Sequence, residues 1–169
     1  MKPFRNYNEL AQVIYDTCII TDPWIDGKER SSTEPVILSH SFYKKLCTAA
    51  EKIGALYDEF THIVWNHPNI LDEYFNLTPY QKLMWLSSNG DWHGIARMDL
   101  FELEDGRIQV CEMNSDTPSG EAEAVLLNNI FEKYYPSLEN PNKNFKDDFC
   151  SMILYMFNSS TCELDRPTI

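Results

Sequence analysis

From Asn8 to Ile19 the apolar positions fall at Leu10, Val13, Ile14 and Cys18, the spacing of a helix with one inward face. The same pattern is longest from Ser39 to Val64. There Phe42, Leu46, Ala49, Ala50, Ile53, Leu56, Tyr57 and Phe60 recur on one side, and Pro68 ends the helix. A short helix is predicted over Asn69 to Phe75. Thr78 and Pro79 then read as an N-cap and a first-turn proline, opening a helix to Leu86. Further helices are predicted over Ser119 to Tyr135, with Ala122, Val125, Leu126, Asn129, Ile130 and Tyr134 inward, and over Lys146 to Phe157. Pro23 to Pro35 reads as a polar loop, Asn140 to Asn144 as another, and Ser87 to Gly94 (SSNGDWHG) as turn chemistry. The tail from Cys162 to Ile169 has an apolar residue just after a turn, where a further strand could begin.

The period changes from three-and-four to two between Ala96 and Asn114. Asp105-Gly106 between two alternating runs predicts a β-hairpin. With those two residues at the turn, Glu104 pairs with Arg107, Leu103 with Ile108, Phe101 with Val110, Asp99 with Glu112, and Arg97 with Asn114. The eight residues of the last four pairs then share one face, apolar near the turn and polar at the open end. Met98, Leu100, Cys111 and Met113 fall on the other face as core.

Two carboxylates directly opposite each other repel. Either Asp99, Glu112 and Arg97 lie on a solvated face with an ordinary ion pair, or a cation offsets the repulsion. The clustering of four suitable groups on one face favours the cation. Asp99, Glu112 and the Asn114 carbonyl are oxygen donors of the kind Mg²⁺ takes, and Mg²⁺ keeps positions for water and substrate phosphates. Arg97 stands beside the ion, placed to pair with a phosphate or a developing oxyanion. Register carries the whole expectation, because a slip of one residue scatters the group. The loop after the hairpin, Asn114 to Gly120 (NSDTPSG), is rich in small donors and precedes a helix. Thr117 or Ser119 caps that helix, and the backbone amides there are also suited to holding an anion.

Composition narrows the partners. The chain has 169 residues and a formal net charge of -12, and it is 43% hydrophobic and 24% charged. Its length suits one domain with a sizeable core. The acidity disfavours nucleic acid and anionic membrane as partners. Five cysteines, an odd number without CxxC spacing, argue for a reducing cytoplasm rather than a disulfide framework. Cys47, Cys111 and Cys150 are expected in the core, as are Trp24, Trp65 and Trp85. The N-terminal MKPFRNYNEL has no apolar leader region, and no run approaches the length of a membrane span. The four histidines lack metal spacing. His62 and His67 read as surface or capping residues, and Trp92-His93 as a possible border of the hairpin site.

Arg97-x-Asp99 and Glu112-x-Asn114 on paired strands resemble the metal-binding end of ATP-grasp ligases. The whole stretch "ARMDLFELEDGRIQVCEMNSDTPSGEAEA" resembles the circularly permuted, glutathionylspermidine synthase-like group. Weaker similarity runs upstream through "HPNILDEYFNLTPYQKLMWLSSNGDWHGIARMD", and the resemblance covers about Asn66 to Tyr135. It implies ATP-driven joining of a carboxylate to an amine through an acyl phosphate. By the same resemblance, Asp99, Glu112 and Asn114 would coordinate Mg²⁺ on ATP, and Arg97 would stabilise the transferring phosphoryl group. Ser115, Asp116, Thr117 and Ser119 would help hold a glutathione-like carboxylate substrate.

The sequence contains no lysine-bearing, glycine-rich nucleotide clamp, which the permuted order places downstream. The expectation is therefore one α+β domain over 1–169, the N-terminal portion of a longer ligase and inactive alone. An antiparallel sheet with a central hairpin would pack against several helices, as a partial ATP-grasp-like fold. A mainly helical portion spans 1–95, the metal-site hairpin 96–114, and a loop with helices 115–169. The alternative is a noncatalytic domain of the same fold, binding a cation or a basic protein partner through the acidic pair.

Overall fold

The computed structural model describes residues 3–92, 94–115 and 118–159. His93, Asp116, Thr117 and the tail from Cys162 onward lie outside the described residues. The chain falls into two compact units, Met1–Ile37 with Ser119–Ile169, and Leu38–Pro118. Each combines helices with one small antiparallel ribbon, an α+β composition.

In the first unit, Asn6 is extended and its side chain accepts from the Glu9 amide, starting α1 (Tyr7–Asp16). The helix stops short of the predicted Ile19. The Thr17 hydroxyl donates to the Ile14 carbonyl, and Cys18 takes a φ of 58°. Leu10 and Ile14 are buried, as the spacing predicts, and meet Leu126, Ile130 and Phe131 of α4 (Glu121–Glu132) in one core with Phe4 and Tyr7. The inward stripe of α4 differs from the expected one. Leu126 and Ile130 are buried as expected, but Ala122, Asn129 and Tyr134 are exposed, and Phe131 joins the core instead. The last helix, α5 (Phe145–Ser159), buries no residue fully.

The stretch from Pro23 to Pro35 is not simply a polar loop. It holds a short ribbon, β1 (Trp24–Ile25) paired with β2 (Lys28–Glu29). Asp26 and Gly27 have φ of 50° and 73°, the signature of a two-residue primed turn. The Tyr7 hydroxyl ties this segment down: it donates to the Pro23 carbonyl and accepts from the Arg30 amide at 3.0 Å.

The second unit is built on α2 (His40–Asn66), 27 residues long and capped by Ser39, whose side chain accepts from the Phe42 amide. His67 closes it, its amide reaching the Ile63 and Val64 carbonyls. A π-helical turn (Leu71–Phe75) follows, then α3 (Pro79–Ser87). Thr78 and Gln81 form a reciprocal capping box at the start of α3, with the proline at its first position as predicted. Lys82 on α3 pairs with Asp72 of the π-helical turn at 2.5 Å. Gly90 has a φ of 82°, and a Cβ there would lie 3.2 Å from the Trp65 ring, so the close approach requires glycine.

The predicted inward stripe of α2 is only partly covered. Phe42, Leu46, Ala49, Ala50 and Ile53 are half-buried, whereas Leu56, Tyr57 and Phe60 are exposed. The hairpin β3 (Arg97–Glu102) and β4 (Ile108–Asn114) accounts for the difference, because it packs on the earlier part of the helix. Lys45 reaches the Gly106 carbonyl at 3.2 Å, and a Cβ at Gly54 would lie 3.9 Å from the end of Met98. The hairpin is a two-stranded sheet by itself rather than part of a wider one among the described residues. Two strands alone are marginal, so packing against α2 holds it. Cys111 and Cys150 are exposed and Cys47 is half-buried, against the expectation of core thiols; all three are free, as is Cys18. Among the described residues, no helix is long and apolar enough to cross a membrane.

Candidate functional site

The hairpin carries the four residues that the alternation picked out, and two local irregularities decide where they point. The first is the turn. Gly106 has a φ of 76° while Asp105 does not enter the positive region. The Leu103 amide donates to the Arg107 carbonyl at 2.9 Å, and the Gly106 amide to the Leu103 carbonyl at 2.8 Å. The loop is therefore Glu104-Asp105-Gly106, three residues with glycine in the left-handed position, and not the expected two-residue turn. Arg107 accordingly pairs with Asp105, at 2.7 Å, rather than with Glu104.

The longer loop moves every pairing near it by one residue. Glu102 faces Ile108, Phe101 faces Gln109, and Leu100 faces Val110. Ile108 and Val110 thus leave the Asp99 face, where the sequence reading put them, and join Met98 and Leu100 on the half-buried side. The second irregularity then restores the original pairing. A bulge between Asp99 and Leu100 leaves Cys111 without an opposite residue, so Asp99 faces Glu112 and Arg97 faces Asn114. Cys111 is exposed as the extra residue.

The cause is hydrophobic. Without the bulge, Glu112 would oppose Met98 on the α2 side and Met113 would turn outward with Arg97. With it, Met113 is half-buried and Glu112 is exposed. The spacing Ile108, Val110, Met113 breaks the period of two by one residue, and that break is the sequence signal of the bulge.

At the open end the polar groups converge. The Asn114 side-chain amide donates to Asp99 Oδ1 and to Glu112 Oε1, at 3.3 Å each. Arg97 Nε lies 3.3 Å from Asp99 Oδ1. Asp99 and Asn114 are half-buried, while Arg97 and Glu112 are exposed. Both carboxylates therefore sit on the same side of the ribbon, with the electropositive end of an amide dipole between them. That amide offsets the cross-strand repulsion in the absence of an ion. A small cation held by both carboxylates would take Asn114 through Oδ1, with the amide turned about χ2.

Two carboxylates and one amide oxygen fit an ion that keeps several waters, as Mg²⁺ does. No group of three or more His, Cys, Asp and Glu side chains is arranged for a metal among the described residues.

The loop residues assigned to a carboxylate substrate are less defined. Ser115 is half-buried and belongs to the second unit; Ser119 is exposed and belongs to the first. Asp116 and Thr117 are outside the described residues. At the start of α4 the N-cap position is taken by Gly120, with a φ of 104° and no side-chain cap, so Ser119 is not the cap there. Glu121 and Glu123 occupy the first turn, as the helix dipole favours, and Glu123 pairs with Arg30 at 2.5 Å.

Phe101 keeps the Asp99 face that the alternation gave it, two residues away, but it is exposed and stands opposite Gln109 rather than Val110. Compared with family models, with curated proteins and with solved structures, the chain has no match.

Proposed function

We propose that this chain is the metal-ligand portion of an ATP-dependent carboxylate–amine ligase of the glutathionylspermidine synthase-like kind, working in the cytoplasm. In this proposal Asp99, Glu112 and Asn114 hold Mg²⁺ on ATP. Arg97 neutralises charge on the phosphoryl group as it passes to the substrate carboxylate. Ser115, Asp116, Thr117 and Ser119 contribute to the site for that carboxylate, a glutathione-like peptide, and an amine then displaces the phosphate. The bound ion would supply charge neutralisation on the phosphate oxygens. The chain's own residues place that charge and orient the acceptor.

The single observation that supports the proposal is the convergence of Asp99 and Glu112 on one Asn114 amide, with Arg97 at their flank. A solvated face has no need to bring like charges together, and here the register that keeps Met113 half-buried also leaves Asp99 opposite Glu112.

The test is titration of a non-hydrolysable ATP analogue, with and without Mg²⁺, into the full-length ligase that this proposal implies and into its Asp99→Asn variant. Binding that needs Mg²⁺ and weakens at least tenfold in the variant is expected. Equal binding in the variant removes the metal assignment. A second reading shares the acidic pair but not the nucleotide: a noncatalytic domain that binds a cation or a basic partner there. Mg²⁺ binding that persists while the nucleotide has no effect selects it.

A further inference from the structure

Beyond the hairpin, the second half of α2 and the π-helical turn present an apolar surface with an excess of negative charge. Leu56, Phe60 and Ile63 follow the four-and-three spacing of a single helix stripe, and all are exposed. Phe75 extends the stripe: its ring lies 6.1 Å from that of Phe60. Tyr74, beside it, is 72% exposed. Scattered apolar residues at a surface are ordinary, but a contiguous stripe of large ones marks a docking site.

The charge around it is distinctive. From Ile53 to Gln81 the chain has no lysine or arginine and four carboxylates, Asp58, Glu59, Asp72 and Glu73. Asp72 is engaged by Lys82, and Asp58 has His62 at 3.9 Å. Glu59 and Glu73 are exposed and make no ion pair among the described residues.

From this the geometry points to a partner of one chemistry: a basic amphipathic helix of another protein, its apolar side on Leu56, Phe60, Ile63 and Phe75 and its lysines or arginines toward Glu59 and Glu73. An apolar helix face set into an apolar strip, with opposite charges at the margins, is a recurrent mode of recognition. A second copy of the chain is the poorer occupant, since it would bring Glu59 and Glu73 against their own kind on a protein of net charge -12. An anionic lipid surface is disfavoured on the same ground. This surface lies on α2 and the π-helical turn, and its test needs neither metal nor nucleotide.

The experiment uses a synthetic 14-residue peptide with leucines on one helical face and lysines on the other. Its control has the same composition in an order without an apolar face. Binding is measured by calorimetry at low and high salt, against the protein, Glu59→Gln/Glu73→Gln, and Leu56→Ser/Ile63→Ser. Micromolar binding of the patterned peptide is expected, at least tenfold tighter than the control. The charge variant should lose several-fold at low salt and little at high salt, and the apolar variant at least tenfold at both.

Equal binding of patterned and control peptides would mean diffuse attraction to an acidic protein and would overturn the proposal. So would binding that neither variant alters. Dimerisation in sedimentation that Leu56→Ser/Ile63→Ser abolishes would reassign the face to a second copy. If circular dichroism shows that the apolar variant has lost helix, the charge variant decides, because its two substitutions are at exposed positions.

Discussion

Glu112→Gln separates the two consequences of opposed carboxylates. Residues directly opposite in an antiparallel pair have Cβ atoms about 5 Å apart. Two unit charges at roughly 5 Å in a water-like dielectric repel by about 0.8 kcal/mol. Screening at physiological salt, with a Debye length of about 8 Å, brings this to roughly half. Since Glu112 is exposed, those screened values are the appropriate ones. Without divalent ions, Glu112→Gln should therefore leave stability unchanged or raise it by about 0.5 kcal/mol. With Mg²⁺ the sign reverses. An ion bound at a Kd of about 1 mM stabilises the native protein by about 1.4 kcal/mol at roughly 10 mM, a rise of roughly 3–6 °C in Tm for a chain of this size. The variant, with one carboxylate removed, should lose most of that rise. The assay is thermal unfolding by circular dichroism, with sodium chloride added to match ionic strength. An equal Mg²⁺-induced rise in wild type and Glu112→Gln would refute the site, because the ion would then be acting elsewhere on the acidic surface.

Three further outcomes are expected. Arg97→Ala removes an exposed pair with Asp99 and should cost less than about 1 kcal/mol in urea unfolding while lowering any Mg²⁺-dependent nucleotide affinity or turnover; loss of the fold instead would make the arginine structural. Leu10→Ala empties a site of 0% exposure in the first core and should cost about 2–5 kcal/mol, read from the urea midpoint. Gly54→Ala places a methyl at ordinary contact distance from Met98 within a long helix, and should raise stability by up to about 1 kcal/mol in the same assay.

The helices were legible because their signals are local. Thr78 was read as a cap from its hydroxyl and the Pro79 after it, whose missing N–H costs nothing; Asn6 and Ser39, which cap in the same way, were not. The hairpin was legible in kind from Asp-Gly between alternating runs, but the dipeptide does not specify its own turn. At Asp26-Gly27 both residues adopt positive φ in a two-residue loop, whereas at Asp105-Gly106 only the glycine does and the loop has three. The pairing of Asp99 with Glu112 was expected from the wrong turn and is present through a compensating bulge.

By itself, then, the sequence determined the capped helices, the existence of the ribbon, and the presence of Arg97, Asp99, Glu112 and Asn114 at its open end. Packing decided through which turn and bulge those residues come to face one way. Met98, Leu100, Ile108, Val110 and Met113 are half-buried, and bringing all five to one face requires one extra residue in β4, at Cys111. That phase shift turns the two carboxylates outward together, toward one amide. Side-chain direction in a strand is set by whichever face is covered, and nothing within the strand records what will cover it.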